Sequence, residues 1–217
     1  RNIITKEFHV TSIYDNGKYI IDYSSYYTDI NNINKINNPV LLFNNDINKY
    51  GSFSINKYIS NSTNSYYNGN NYIKRTIGNV DKYYGDWIKI NLPYNIKITK
   101  SIFVVDNNTI DSAPYKYEIY GSVDNINWTR LHVSNLIKSD YSSNNNQHID
   151  VITQNNYYNN YAFCCNAIGD NKDYMSFLEW KIYGDKLLQT ESYYENKANI
   201  ITGVSGWNHV KHISPSS

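Results

Sequence analysis

Short runs of β-branched and aromatic residues, separated by Asn, Gly, Ser and Asp, dominate this sequence, and helical periodicity is scarce. Runs of this kind predict β-strands, and the residues between them predict turns. Many short strands with frequent turn signals are typical of an all-β sandwich or barrel. The predicted strands lie at residues 8–13, 18–23, 87–92, 96–105, 115–120, 128–133, 149–153, 161–168 and 177–184.

Composition and charge narrow the classes of function. Of the 217 residues, 41% are hydrophobic, which is enough for one sizeable core. The formal net charge is +1, and no basic cluster exceeds the two residues Lys74 and Arg75, which argues against a nucleic-acid groove. No run of 18 apolar residues occurs, so the sequence predicts no membrane-spanning segment.

The strand pattern stops near residue 188 and divides the chain. We predict one β domain over residues 1–188, followed at 189–217 by a polar linker and the start of a further segment or tail. The sequence begins at Arg1 rather than Met. We therefore expect the chain to be part of a larger polypeptide or assembly.

The stretch "PYKYEIYGSVDNINWTRL" at 114–131 predicts strand, turn and strand. Its alternation places Tyr117 and Ile119 inward. Gly121 is predicted to sit where a side chain would clash. Trp128 is predicted to be buried and to close the end of the sandwich over that bend.

The two cysteines, Cys164 and Cys165, are adjacent in a predicted strand. Neighbouring residues close a disulfide only in a strained ring, so we predict two reduced thiols, one on each face of the strand.

Residue pairs for acid–base catalysis are few. His132 with Asp124, and His148 with Asp150, are the candidates that the sequence offers. Neither pair sits in a catalytic motif, and the chain lacks Gly-x-Ser-x-Gly, His-Glu-x-x-His and P-loop patterns. We predict that the protein is not an enzyme.

The segment 52–72 mixes tyrosines with Asn and Ser, a combination suited to sugars. Aromatic rings contact the C–H faces of a sugar, and amide or charged groups bind its hydroxyls. The segment contains Phe53, Tyr58, Tyr66, Tyr67 and Tyr72, and it is followed by Arg75 and Tyr84. The predicted ligand-binding residues are Tyr66, Tyr67, Asn68, Arg75 and Tyr84.

Four blocks of the sequence carry a family resemblance: "GDWIKINLPYNIKITKSIFVV", "APYKYEIYGSVDNINWTRL", "YAFCCNAI" and "FLEWKIYG". In this order they resemble the discoidin-like (factor V/VIII type C) galactose-binding-like domain, in a style seen in large-virus and microbial surface proteins. The resemblance covers about residues 8–185. It implies an antiparallel β-sandwich of jelly-roll type. It also implies a binding module whose end loops hold glycans, phospholipid head groups or proteins.

The resemblance further implies a structural Ca²⁺ in some members. Its ligands would correspond to Asn44, Asp46 and Glu179. Here "FNND" replaces the family's "FDGD", so one carboxylate has become an amide. Ca²⁺ prefers several oxygen ligands, including carboxylates, so this change weakens the predicted site.

Taken together, these features predict a non-catalytic, lectin-like attachment module within a larger surface or virion protein. Its expected location is the virion surface or the extracellular side of a cell. The alternative is a structural protein, of minor capsid or fibre type, held by protein–protein contacts, because Tyr-rich surfaces also suit such contacts. Membrane head-group binding ranks below both, because the loops are polar.

Overall fold

The computed structural model describes residues 6–11, 16–29, 32–43, 46, 48–77, 79–142, 145–187 and 204–205. Over these residues the paired strands are antiparallel. The strands are β1 (Lys6–Thr11), β2 (Asn16–Tyr23), β3 (Tyr27–Asp29), β4 (Asn32–Asn37), β5 (Gly51–Ser52), β6 (Tyr58–Ser60), β7 (Ser65–Tyr67), β8 (Tyr72–Ile77), β9 (Asn79–Tyr84), β10 (Asp86–Val104), β11 (Pro114–Ser122), β12 (Thr129–Asn135), β13 (Gln147–Val151), β14 (Tyr158–Ile168), β15 (Ser176–Phe177), β16 (Glu179–Lys186) and β17 (Val204–Ser205). The helical segments are two 3₁₀ turns, η1 (Pro39–Phe43) and η2 (Ile110–Ser112), and the α-helix α1 (Lys138–Ser142).

Strand β10 belongs to both layers of the fold. Its first half, 86–91, pairs with β2 and β14 in a sheet of order β1-β2-β10-β14-β11-β12. Its second half, 96–104, pairs with β16 and β13. The register shifts between Asn91 and Ile96, where the strand passes from one layer to the other.

The main core lies between the two layers and is rich in aromatic rings. Phe103 of β10 is its centre, with ring centroids of Tyr117 at 4.6 Å, Phe163 at 5.0 Å, Phe177 at 5.7 Å and Trp180 at 6.3 Å. All five side chains are fully buried. Tilted and stacked ring contacts of this kind add to the stabilisation from burial alone.

A second, smaller cluster lies on the outer face of the first sheet. It joins the outward-facing Trp87, Tyr120 and Cys164 to Ile73 of β8 and to Trp128. The β8–β9 hairpin covers these residues, so this part of the sheet is shielded on both faces.

The prediction of an all-β, antiparallel sandwich is confirmed. The predicted strands 87–92 and 96–105 form the single strand β10, because the chain stays extended through the register shift. The predicted loop 52–72 instead contains β6 and β7, and β7 pairs with β14. In the predicted tail, β17 pairs with β16, and the rest of 188–217 lies outside the described residues.

The 114–131 hairpin is largely as predicted. Tyr117 and Ile119 point into the main core, and a Cβ on Gly121 would lie 2.4 Å from Cδ2 of Tyr158. Trp128 is buried, but it packs in the outer-face cluster, and the ring beside Gly121 is that of Tyr158. Cys165 faces the main core and Cys164 the outer cluster, both as free thiols, as predicted.

Replacing Trp128 by Ala should lower the free energy of unfolding by roughly 3–5 kcal/mol, because a buried indole is lost and leaves a cavity. Urea denaturation measures the change. The control is Ile126→Ala on the same turn, where the side chain is 69% exposed and the expected change stays within about 0.5 kcal/mol. Equal stabilities of the two variants would contradict the packing described for Trp128.

Candidate functional site

Two tyrosines stand out by their exposure. Among tyrosines with described side chains, only Tyr72 and Tyr84 are largely exposed, at 39% and 43%. They face each other across the β8–β9 hairpin, with ring centroids 5.7 Å apart and planes inclined by 57°. The Lys82 ammonium lies 4.5 Å from the centroid of the Tyr72 ring. We call Tyr72 and Tyr84 the tyrosine pair.

Backbone contacts fix the base of this pair. The amide of Gly85 donates to the carbonyl of Asn71 at 3.0 Å, closing the end of the hairpin. The side-chain amide of Asn166 donates to the carbonyl of Tyr84 at 3.0 Å. A Cβ on Gly85 would lie 2.1 Å from the carbonyl oxygen of Cys165, so the hairpin approaches β14 more closely than other residues would permit.

A buried carboxylate ties the hairpin to the sheet. Glu118 is 3% exposed, and its Oε1 accepts from Nη1 of Arg75 at 3.2 Å and of Arg130 at 3.3 Å. Its Oε2 accepts from the hydroxyl of Tyr120. The Arg75 guanidinium also lies 5.1 Å from the centroid of the Tyr83 ring. Removing one partner from such a buried ion pair is strongly destabilising, so Arg75 holds the hairpin in place.

Burial and the hydrogen bond to Glu118 both raise the pKa of Tyr120 far above its ordinary value. The Tyr120 hydroxyl therefore stays protonated and remains a donor to Glu118 throughout the pH range in which the protein is handled.

The predicted ligand residues fall into separate places. Tyr84 is one member of the tyrosine pair and Asn68 is exposed in the β7–β8 loop, whereas Arg75 is held by Glu118. The Tyr66 hydroxyl accepts from the Lys116 ammonium, which lowers the Tyr66 pKa. Tyr67 packs edge-on against Tyr58 at 5.4 Å.

Tyr72 was not among the selected residues, although it lies in the predicted 52–72 segment. Its importance depends on its pairing with Tyr84 across a hairpin that was not predicted. The Gly78-Asn79 dipeptide, between runs rich in Ile, Val, Thr and Tyr, is the sequence signal that could have revealed this hairpin.

A buried acid lies directly after the hairpin. Asp86 Oδ1 accepts from the hydroxyls of Ser24 at 2.8 Å and Ser25 at 2.7 Å, and Oδ2 accepts no well-formed hydrogen bond from the described residues. Burial raises the pKa of Asp86 to about 6, against the opposing effect of the two serine hydrogen bonds. The charged form is therefore disfavoured in the folded protein.

Asp86→Asn should stabilise the domain at pH 7.5 and leave it unchanged near pH 4. The pKa of Asp86 is higher in the folded chain than the ordinary 3.8. The contribution of Asp86 to the free energy of unfolding is therefore fully present below pH 3.8, and it is lost as the pH rises through about 6. Two pKa units correspond to roughly 3 kcal/mol, which the amide would recover at pH 7.5.

Melting temperatures at the two pH values test this prediction. Asp185→Asn is the control, because the Asp185 side chain is 46% exposed and its change should be small at both pH values. A melting temperature of Asp86→Asn below wild type at pH 7.5 would contradict the pKa assignment.

The two candidate acid–base histidines, His132 and His148, contact the same carboxylate, Asp150. His148 contacts Asp150 as proposed, with Nε2 3.0 Å from Oδ1. The proposed pairing of His132 with Asp124 is wrong, since His132 Nε2 lies 2.9 Å from the same Asp150 oxygen. Asp124 instead accepts from the amides of its own turn, at 2.7 Å from Asn127.

Asp150 bridges the open edge of the sandwich. Tyr117 of β11 and Ser134 of β12 donate to it, each at 2.7 Å, and thereby link β13 to the other sheet. Burial opposes its charge, yet the hydrogen bonds from His132, His148, Ser134 and Tyr117 hold its pKa below the ordinary value. A carboxylate satisfied in this way fits a structural link better than a general base.

Glu179, one of the predicted Ca²⁺ ligands, is 1% exposed, and neither carboxylate oxygen makes a well-formed hydrogen bond within the described residues. Such a carboxylate fits a cation. The Lys181 ammonium lies 2.6 Å from Oε2.

Asp46 is engaged by Asn48 and by Lys49 at 3.3 Å, and Asn44 lies outside the described residues. Nowhere in the described chain do three or more His, Cys, Asp or Glu side chains form a metal-binding group. The Ca²⁺ site stays a prediction.

Ca²⁺ added to EDTA-treated protein should raise the melting temperature by several degrees, because a ligand that binds only the folded state stabilises it. Glu179→Gln should abolish the increase. A wild-type melting temperature that does not respond to Ca²⁺ would show that Lys181 alone neutralises Glu179.

The fold has counterparts among solved structures. A family 32 carbohydrate-binding module, CBM32-3, from a family 31 glycoside hydrolase of Clostridium perfringens matches 76% of this chain and 91% of its own, with TM-score 0.52 and 15% identity. The family 32 module of C. perfringens NanJ, solved with galactose, matches 76% of this chain and 92% of its own, with TM-score 0.50 and 11% identity. No protein-family model and no curated protein matches the sequence.

These similarities show that the chain has the discoidin-like β-sandwich fold of family 32 carbohydrate-binding modules. No helix in the described part of the chain has the length and hydropathy needed to cross a membrane.

Proposed function

We propose that the protein is a non-catalytic glycan-binding module whose contact surface is the tyrosine pair. The observation that carries the proposal is that the two most exposed tyrosines with described side chains stand side by side on one hairpin. Two rings in contact form an apolar surface wide enough for one face of a sugar ring. The fold is shared with a module solved with galactose, which supports the same class of ligand.

Polar groups around the pair suit hydroxyl recognition. Lys82 lies over one ring at 4.5 Å, and Asn68 is exposed in the β7–β8 loop. Asn68 has a fixed backbone, because its amide donates to the carbonyl of Lys57 at 2.7 Å. A platform whose backbone is already ordered loses little entropy when a ligand binds.

The other residues that sequence reasoning selected support the platform in this proposal. Arg75 positions the hairpin through Glu118, and Tyr67 packs beneath the β7–β8 loop. Gly69 permits that packing, since a Cβ there would lie 2.3 Å from the Tyr67 hydroxyl.

We place the protein outside the cell or at a surface, where such modules meet glycans. The virion location and the alternative role as a capsid or fibre component held by protein contacts stay predictions.

Binding of galactose and N-acetylgalactosamine, measured by isothermal titration calorimetry, tests the proposal. Tyr84→Ala and Tyr72→Ala should each weaken binding at the tyrosine pair at least tenfold, because each removes one of its two exposed rings. Tyr157→Ala is the matched control, since that ring also contacts a lysine, Lys97 at 6.0 Å, on another part of the surface. Equal affinities of wild type and both platform variants would contradict this surface, and no heat with any sugar would contradict the function.

A further inference from the structure

A polar cleft lies at the opposite end of the first sheet from the tyrosine pair. Along β10 the pair adjoins Asp86, whereas the cleft adjoins Asn91, roughly 17 Å away at about 3.3 Å per residue. Its volume is about 270 Å³. Sites for drug-sized ligands are roughly 300–1,000 Å³, so a single sugar unit suits this cleft better than a larger molecule.

The cleft wall is built from amides and charged side chains. Asn91, Asn125, Asn159 and Asn160 line it, together with Asp22, Lys89 and Asp124. The aliphatic part of the lining is Ile20, Ile90 and Val123, and Val123 is 65% exposed at the rim. Amides and carboxylates can both bind neighbouring hydroxyls, and aliphatic groups contact C–H faces.

The wall is ordered before any ligand arrives. Asn160 is 3% exposed, accepts from Asn91 at 2.8 Å and donates to Asn159 at 2.8 Å. On the rim, Ser122 accepts from the amide of Asn125 at 3.0 Å, and Asn125 has φ 59°, a left-handed conformation that Asn tolerates.

Lys89 is held over the outer-face cluster. Its ammonium lies 4.4 Å from the centroid of the Trp87 ring and 5.3 Å from that of Trp128. Burial lowers the Lys89 pKa, and the nearby Asp22 charge opposes that effect.

The charges of the lining select the ligand class. Asp124 is kept ionised, because the hydrogen bonds from the amides of Asn127 and Ile126 lower its pKa. The lining includes two carboxylates, Asp22 and Asp124, and one ammonium, Lys89, which leaves a net charge of −1. This charge disfavours acidic sugars and suits a neutral one.

We propose that this cleft is a second binding site for a neutral hexose or N-acetylhexosamine, with Asp22, Lys89 and Asn91 as its hydroxyl-binding groups. The ligand class rests on the proposed function, whereas the site itself is separate. Two sites at opposite ends would let one domain bridge two glycan chains, which raises avidity without new contacts.

Amide chemical-shift mapping by NMR with galactose, N-acetylgalactosamine and galacturonate tests the second site. Two groups of amides report separately: 68–72 and 82–85 for the tyrosine pair, and 22, 89–91, 123–125 and 159–160 for the cleft. We expect the cleft amides to shift and saturate with a neutral sugar in wild type and in Tyr84→Ala. The double variant Asp22→Asn, Lys89→Gln should lose at least tenfold in affinity at the cleft and keep the shifts at the tyrosine pair.

Each other outcome overturns the second site, its neutral ligand class or the tyrosine pair. Cleft amides that do not move with either neutral sugar overturn it, even if the tyrosine pair responds. If the shifts of the cleft amides vanish in Tyr84→Ala, these amides report binding at the tyrosine pair, and the cleft is not a separate site. Tighter binding of galacturonate at the cleft overturns the neutral ligand class. Cleft shifts without a response at 68–72 and 82–85 would leave the second site standing and overturn the tyrosine pair.

Discussion

The two-layer sandwich depends on strand β10, because this one continuous strand supplies the centre of both layers. Its first half pairs with β2 and β14, and its second half pairs with β16 and β13. Phe103 in the second half is the centre of the aromatic core. Asp86 at the start and Asn91 at the bend mark the two ends at which candidate sites lie. The strand therefore fixes both the sandwich and the separation of its surfaces.

The outer face of the first sheet carries a second hydrophobic cluster. An exposed sheet face would normally be polar, yet Trp87, Tyr120 and Trp128 are buried there beneath the β8–β9 hairpin. Glu118, with two arginines and a tyrosine, joins that hairpin to the sheet. The same contacts that bury this second cluster hold Tyr72 and Tyr84 outward. Stability of the outer cluster and presentation of the tyrosine pair are thus consequences of one interaction.

Local pattern was sufficient to predict the long strands of both layers, but not β6, β7, β8 or β9. Alternation placed Tyr117 and Ile119 inward, and adjacency placed the two cysteines on opposite faces. It could not place Trp128, because the cluster that buries the ring draws residues from β8, β10 and β14, which are distant from it in the sequence. For the same reason Arg75 resembled a ligand residue, since its partner Glu118 becomes a neighbour only in the folded chain. In a sequence so rich in Tyr and Asn, composition could not separate the exposed Tyr72 and Tyr84 from buried rings such as Tyr120.

The function proposed for this module requires that the tyrosine pair contacts sugar directly. The most direct measurement is a crystal structure of the protein soaked with galactose or N-acetylgalactosamine at millimolar concentration. We expect a sugar ring lying against Tyr72 and Tyr84, with its hydroxyls within hydrogen-bond distance of Lys82 or Asn68. A sugar bound only elsewhere, with both tyrosine rings uncovered and free of lattice contacts, would contradict it.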